Sequence, residues 1–305
     1  MLAVLAVIAA ALAGVAAERR RGPAAERLAK ALLTFLLYGP LPIVIFFNLV
    51  GQDVGGGLWR ALLAGYVALA LLALAAYALA RGPLALSRPA TGAFMIGVTQ
   101  VNTSLFGLPL ALSLFGSDGL GQAVAYDSLV TVPWLLLVIF GIGAAFGTRA
   151  GEGLRARLRS FLVRNPPLVA VVAALLAPDA LAPDALVDAA HVLVYAQAPV
   201  GFFAVGILVA VEARAVGRPL LPPLTRPLAA ATVLRLAVAP ALLAALAASF
   251  TSLPTPFALL AAMPTGVNVL VVAHAYGLDL PLAAGIVAWT TAIALPAAAV
   301  LVVVA

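Results

Sequence analysis

Two short clusters of hydrogen-bonding side chains lie inside otherwise apolar sequence. The first is Asn102-Thr103-Ser104, followed by Gly107 and Pro109; the second is Pro264-Thr265-Gly266-Val267-Asn268. Neutral amides and hydroxyls without a partnered histidine do no bond-making, so the chemistry they offer is recognition by hydrogen bonding. Proline removes an amide donor and crowds the carbonyl one turn back, so each cluster marks a break in a helix. Where a helix restarts after a break, its N-terminus carries free amide donors and roughly half a positive charge, and both favour an anion. Half-helices starting near Pro109 and Pro264 would aim two such ends at one place. Asn102, Thr103, Ser104, Thr265, Gly266 and Asn268 would line it, with Gln197 from a further apolar segment, and Gly107, Pro109 and Pro264 would act as hinges. Such a site holds a carboxylate without a fixed cation. The competing account is that these groups only satisfy one another across packed helices, but two matching breaks are harder to explain by packing than one.

Two charges also fall deep in apolar sequence. Asp127 is the one carboxylate well inside a span, about 10 Å from one face at about 1.5 Å per residue, and Arg235 is the one deep cation. Buried membrane charges are expensive and mark function by default, so Asp127 is a candidate for proton coupling and Arg235 for a counter-charge. The alternatives are a solvated vestibule around Asp127 and an Arg235 that snorkels to the interface. His191 and His274 have no second ligand at metal spacing, and without cysteine there is no disulfide or thiolate site. No cofactor or metal is expected. The run from Gly141 to Gly147 follows no strand and reads as helix packing, not as a phosphate loop.

The elements that must position these residues are membrane helices. With 65% hydrophobic and 9% charged residues and a mean hydropathy of +1.18, the chain is far from the soluble norm. The net charge of +6 sits in short loops between apolar runs, which argues against nucleic acid as a partner. On a ruler of about 20 apolar residues per crossing, ten spans are expected, near 1–17, 28–50, 58–80, 90–114, 120–146, 167–181, 186–211, 227–250, 256–276 and 280–304. The basic stretch 148–166 divides the chain into halves at 1–147 and 167–305. Arg and Lys concentrate in alternate loops, which predicts a cytoplasmic central linker and both termini outside. Five spans per half is an odd number, so the halves would form a five-plus-five inverted repeat with the broken fourth and ninth spans crossing.

The run Asn102 to Leu110, continuing through Leu114-Phe115-Gly116, resembles the fourth span of the auxin efflux carrier family, which includes bacterial transporters and the plant PIN-type carriers. Ala196-Gln197-Ala198-Pro199 with Phe202 to Gly206 is similar to its seventh span. Met263 to Asn268 through His274-Ala275-Tyr276-Gly277 is similar to its ninth, and Trp289-Thr290-Thr291 with Pro296 to its tenth. The resemblance implies a crossover fold shared with bile-acid symporters and sodium/proton antiporters. It also implies elevator-like movement of one helix bundle (spans three to five and eight to ten) against another, organic anions such as weak acids and dicarboxylates as cargo, and a homodimer. The chain departs from the plant pattern in carrying Val101 where those proteins have proline, and in its short central loop.

The expectation is therefore an all-α protein of a bacterial inner membrane that moves a small organic anion and is not an enzyme. The alternative is a cation/proton exchanger or sodium-coupled symporter of the same fold, which a second carboxylate beside Asp127 would favour; none is in sequence.

Overall fold

A computed structural model describes residues 2–50, 56–149, 166–215, 221–249 and 251–304. Among them every regular element is helical, and the only strand-like pairing is an isolated antiparallel bridge between Val101 and Thr265. The first half runs α1 (Leu2–Arg21), α2 (Pro23–Tyr38), α3 (Pro40–Leu49), α4 (Gly56–Arg81), α5 (Arg88–Thr99), a π turn π1 (Thr103–Gly107), α6 (Leu108–Tyr126), π2 (Asp127–Thr131), α7 (Val132–Trp134), π3 (Leu135–Ile139) and α8 (Phe140–Phe146). The second runs α9 (Pro166–Leu176), α10 (Asp184–Ala215), α11 (Arg226–Val233), π4 (Leu234–Val238), α12 (Ala239–Ala248), α13 (Thr255–Ala261), α14 (Asn268–Tyr276) and α15 (Leu280–Val304). Most of the basic linker, 150–165, lies outside the described residues, as do Asp53 and Arg218.

Among the described residues six helical stretches are long and apolar enough to cross a bilayer: Pro23–Leu49, Gly57–Arg81, Gly119–Phe146, Asp184–Val211, Arg226–Ala248 and Leu280–Val304. Large apolar side chains such as Leu63, Leu74, Leu176 and Val300 face outward, as lipid contact requires. The two segments expected to break do so. The first is helical to Thr99 and resumes at Thr103, and the second is helical to Ala261 and resumes at Asn268. Gly116, at φ 67°, turns the chain out of the fourth segment into the fifth in a backbone conformation that a residue with a Cβ rarely adopts.

Three of the four π turns end two residues before a proline: π1 before Pro109, π2 before Pro133 and π4 before Pro240. A proline inside a helix lacks an amide and presses on the carbonyl four residues back. A widened turn, in which Leu108, Val132 and Ala239 donate to carbonyls five residues earlier, takes up that mismatch. Pro199 and Pro296 lie in α10 and α15 without such a turn. Thr103, Ser104, Asp127 and Arg235 all fall in the widened turns.

The helices pack as two groups. α1, α2 and α3 rest on α10, and α9 on α3. α4 packs with α5 and α12, α13 with α6, and α15 with α5 and α11. α1 and α10 approach so closely that a Cβ on Gly14 would stand 2.1 Å from the Phe203 carbonyl oxygen. Between the groups, α10 touches π1, α6 and α15, and the Phe106 and Phe202 rings meet edge to face at 5.3 Å.

Candidate functional site

The two breaks meet. The Asn102 amide donates to the Pro264 carbonyl at 2.8 Å, and the Gly266 amide donates to the Gln100 carbonyl at 3.0 Å. This two-bond bridge satisfies backbone groups that hydrocarbon could not. It needs glycine, since a Cβ on residue 266 would stand 2.9 Å from the Val101 carbonyl oxygen. Thr265, fully buried, ties the crossing to its neighbours: its hydroxyl donates to the Gly97 carbonyl at 2.7 Å, and its amide donates to the Thr290 hydroxyl at 3.1 Å.

Arg235 closes the C-terminal side of the crossing. Its guanidinium is buried and donates to the Val98 carbonyl at 3.1 Å and to the Ala261 carbonyl. Those carbonyls lie at the ends of α5 and α13, where each helix carries roughly half a negative charge. One planar fork thus serves both ends.

On the N-terminal side, π1 and α14 open onto a cavity of about 100 Å³. Asn102, Ser104 and Asn268 line it from the crossing, Asp127 and Thr131 from π2, and Gln197 from α10; Leu33, Leu36 and Leu41 form an apolar wall. Asp127 is fully buried and accepts hydrogen bonds from the Thr103 hydroxyl and from the Ser104 hydroxyl, at 3.0 and 2.8 Å to its two oxygens. No Lys, Arg or His is among the lining residues. Gln197 is 2% exposed, yet neither polar atom of its side-chain amide has a hydrogen-bond partner among the described residues; nor do the Thr131 hydroxyl and the side-chain amide oxygen of Gln100. Native interiors rarely strand so many polar atoms in one place. An apolar cavity of about 150 Å³ admits benzene, so the space suits water or a small solute.

Of the residues singled out from sequence, Asn102, Thr103, Ser104, Gly266, Asn268, Gln197 and Asp127 border this cavity. Thr265, Pro264 and Arg235 belong to the crossing behind it, and Gly107 packs against Leu260 and Met263 one turn on. The half-helices restart at Thr103 and Asn268, not at Pro109 and Pro264, because the π turn absorbs Pro109 and the bridge uses the Pro264 carbonyl. Asp127 lies fully buried beside the crossing, on the wall of the cavity. Gln100 and Thr131 were not among the sequence candidates. Gln100 adjoins the first cluster, and Thr131 follows Asp127 by four residues, which is the spacing of one helix face. His191 contacts the Asn48 amide oxygen at 3.0 Å, away from the cavity.

No curated protein matches the chain. Residues 158–302 match the family model described as "Membrane transport protein", a span just short of half the chain that takes in Gln197, Arg235 and the second break. Over that region this integral membrane protein is therefore similar to a family of membrane transporters, not of enzymes.

Proposed function

We propose that the chain is a secondary transporter or facilitator of a small organic anion, working by elevator-like alternating access. The observation that carries this reading is the cavity at the crossing of two broken helices, where two half-helix N-termini, Asn102, Asn268 and the unpartnered Gln197 amide converge. Ten spans in a five-plus-five inverted repeat account for the matched breaks and for the two helix groups. α1, α2, α3, α9 and α10 form the scaffold, and the remaining helices the moving bundle. The cavity lies between them, with Gln197 and the leucine wall on the scaffold side and the crossing on the other. The alternation of basic loops supports a bacterial inner-membrane protein with both termini outside. The resemblance to auxin efflux carriers supports this arrangement and a homodimeric assembly.

The test is uptake of labelled acetate, lactate, malonate and succinate into proteoliposomes, for the native protein, Asn102→Ala and Asn268→Ala. Saturable uptake of one carboxylate that both substitutions reduce supports the reading. Uptake of none, with sodium or proton flux instead, overturns it in favour of a cation exchanger. That second reading has one specific observation behind it: among the described residues, Asp127 is the only charged side chain lining the cavity.

A further inference from the structure

Asp127 and an anionic substrate would compete for the same donors. The carboxylate sits at the start of π1, the position an anion would take at a helix N-terminus, and it consumes the hydroxyl hydrogens of both Thr103 and Ser104. We infer that Asp127 binds a proton together with the substrate carboxylate, so that each anion crosses the membrane with one proton. This inference rests on the organic-anion reading of the same cavity.

Two carboxylates in one cavity without a lining cation repel strongly in a medium less polarisable than water. A proton taken from the aqueous phase onto a carboxylate oxygen of Asp127 removes that repulsion. It also gives Asp127 an O–H donor and blocks one of the two oxygens that accept from Thr103 and Ser104, which frees hydroxyl capacity to turn toward the cavity. The partner groups for the incoming anion then number more than the helix ends alone. The Gln197 amide, 2% exposed and without a partner, and the Thr131 hydroxyl, 4% exposed and likewise unpartnered, already point to a ligand in this space.

The other ionisable groups around Asp127 do not substitute for it. On the elements packed against π2, Tyr66 of α4 donates to the Leu129 carbonyl at 2.5 Å. Tyr126, the neighbouring residue, is buried against the Phe257 ring at 4.9 Å. The α9 stretch Pro166–Leu176, π1 and α7 carry no titratable residue. Of α6, Asp118 lies eight residues up the helix from Tyr126, beyond Gly119. Arg235 is committed to the Val98 and Ala261 carbonyls, and Lys30 on α2 pairs with Glu26 at the surface at 2.7 Å.

The experiment is binding to the purified native protein of the carboxylate that the uptake panel identifies, or of malonate where several are equal, titrated from pH 5 to pH 9. Proton uptake is read from calorimetry in buffers of different ionisation enthalpy. The expected result is one proton taken up per anion bound and an affinity that falls about tenfold per pH unit on the alkaline side. In Asp127→Asn, whose amide imitates the protonated acid, affinity no longer changes with pH and proton uptake on binding disappears. An affinity independent of pH in the native protein, with no proton taken up, overturns the inference while leaving the anion reading intact, and it does so whether or not the variant folds. Sodium-dependent binding with no proton uptake overturns it in favour of a metal cation at Asp127. Binding of no carboxylate at any pH overturns both readings together.

Discussion

At the scale of single residues, the cavity holds polar groups that have no hydrogen-bond partner among the described residues. The Gln197 amide is the clearest case, because a buried amide without partners costs stability unless something else satisfies it. Gln197→Leu is therefore expected to raise the unfolding temperature of the ligand-free protein, by the equivalent of about 1 kcal/mol, and to abolish stabilisation by the carboxylate proposed as cargo. A thermal-shift series with and without that anion reads both. A fall in stability would mean that Gln197 is satisfied by structural water, not by substrate. Asn102 and Asn268 each place an amide beside a half-helix N-terminus. A hydrogen bond to a charged ligand contributes about 1.5–3 kcal/mol, so Asn102→Ala or Asn268→Ala should weaken carboxylate binding by roughly ten- to a hundredfold. Direct binding measurements on the purified variants check this.

At the scale of elements, the crossing is held from behind by Arg235 and from within by the bridge. Two charge-assisted hydrogen bonds and the favourable field at two helix ends make Arg235→Met destabilising by on the order of 3–5 kcal/mol. Arg235→Lys should recover only part of that, since an ammonium on a flexible stem lacks the fork that reaches Val98 and Ala261 together. Chemical or thermal unfolding in detergent separates the two variants, and equal stability would show that the guanidinium geometry is unimportant. Gly266→Ala sets a methyl against the Val101 carbonyl and should cost about 1–3 kcal/mol by forcing the bridge apart. Because the bridge also positions Asn102 and Asn268, this variant should lose binding along with stability.

At the scale of the whole molecule, the proposed elevator-like mechanism requires the two helix groups to move against each other. Leu105 of π1 and Gly201 of α10 face one another across the boundary, with a Cβ on residue 201 falling 2.8 Å from a Leu105 methyl carbon. The chain has no native cysteine, so Leu105→Cys with Gly201→Cys creates the only thiol pair in it. Oxidation should stop uptake in proteoliposomes, and reduction should restore it. Uptake that continues across the closed disulfide would show that the groups need not slide past each other.

Much of this arrangement was legible along the chain. Continuous apolar runs identified the long membrane helices, because nothing else satisfies a backbone in hydrocarbon. Proline and glycine beside Asn, Thr and Ser in the clusters at 102–109 and 264–268 marked both breaks, because those residues have local effects on the backbone that no partner is needed to read. The restart points were not legible: the π turn before Pro109 depends on how the widened helix is packed. Nor was the partnership of Asp127 with Thr103 and Ser104, twenty-odd residues apart, since periodicity along one helix carries no information on its height against another. The same holds for Arg235, whose long side chain in sequence could equally have snorkelled to an interface, and which spans two helix ends 137 and 26 residues away. Local chemistry follows from residue type and spacing; the register between helices follows from packing, and packing placed the carboxylate in the cavity and the guanidinium behind it.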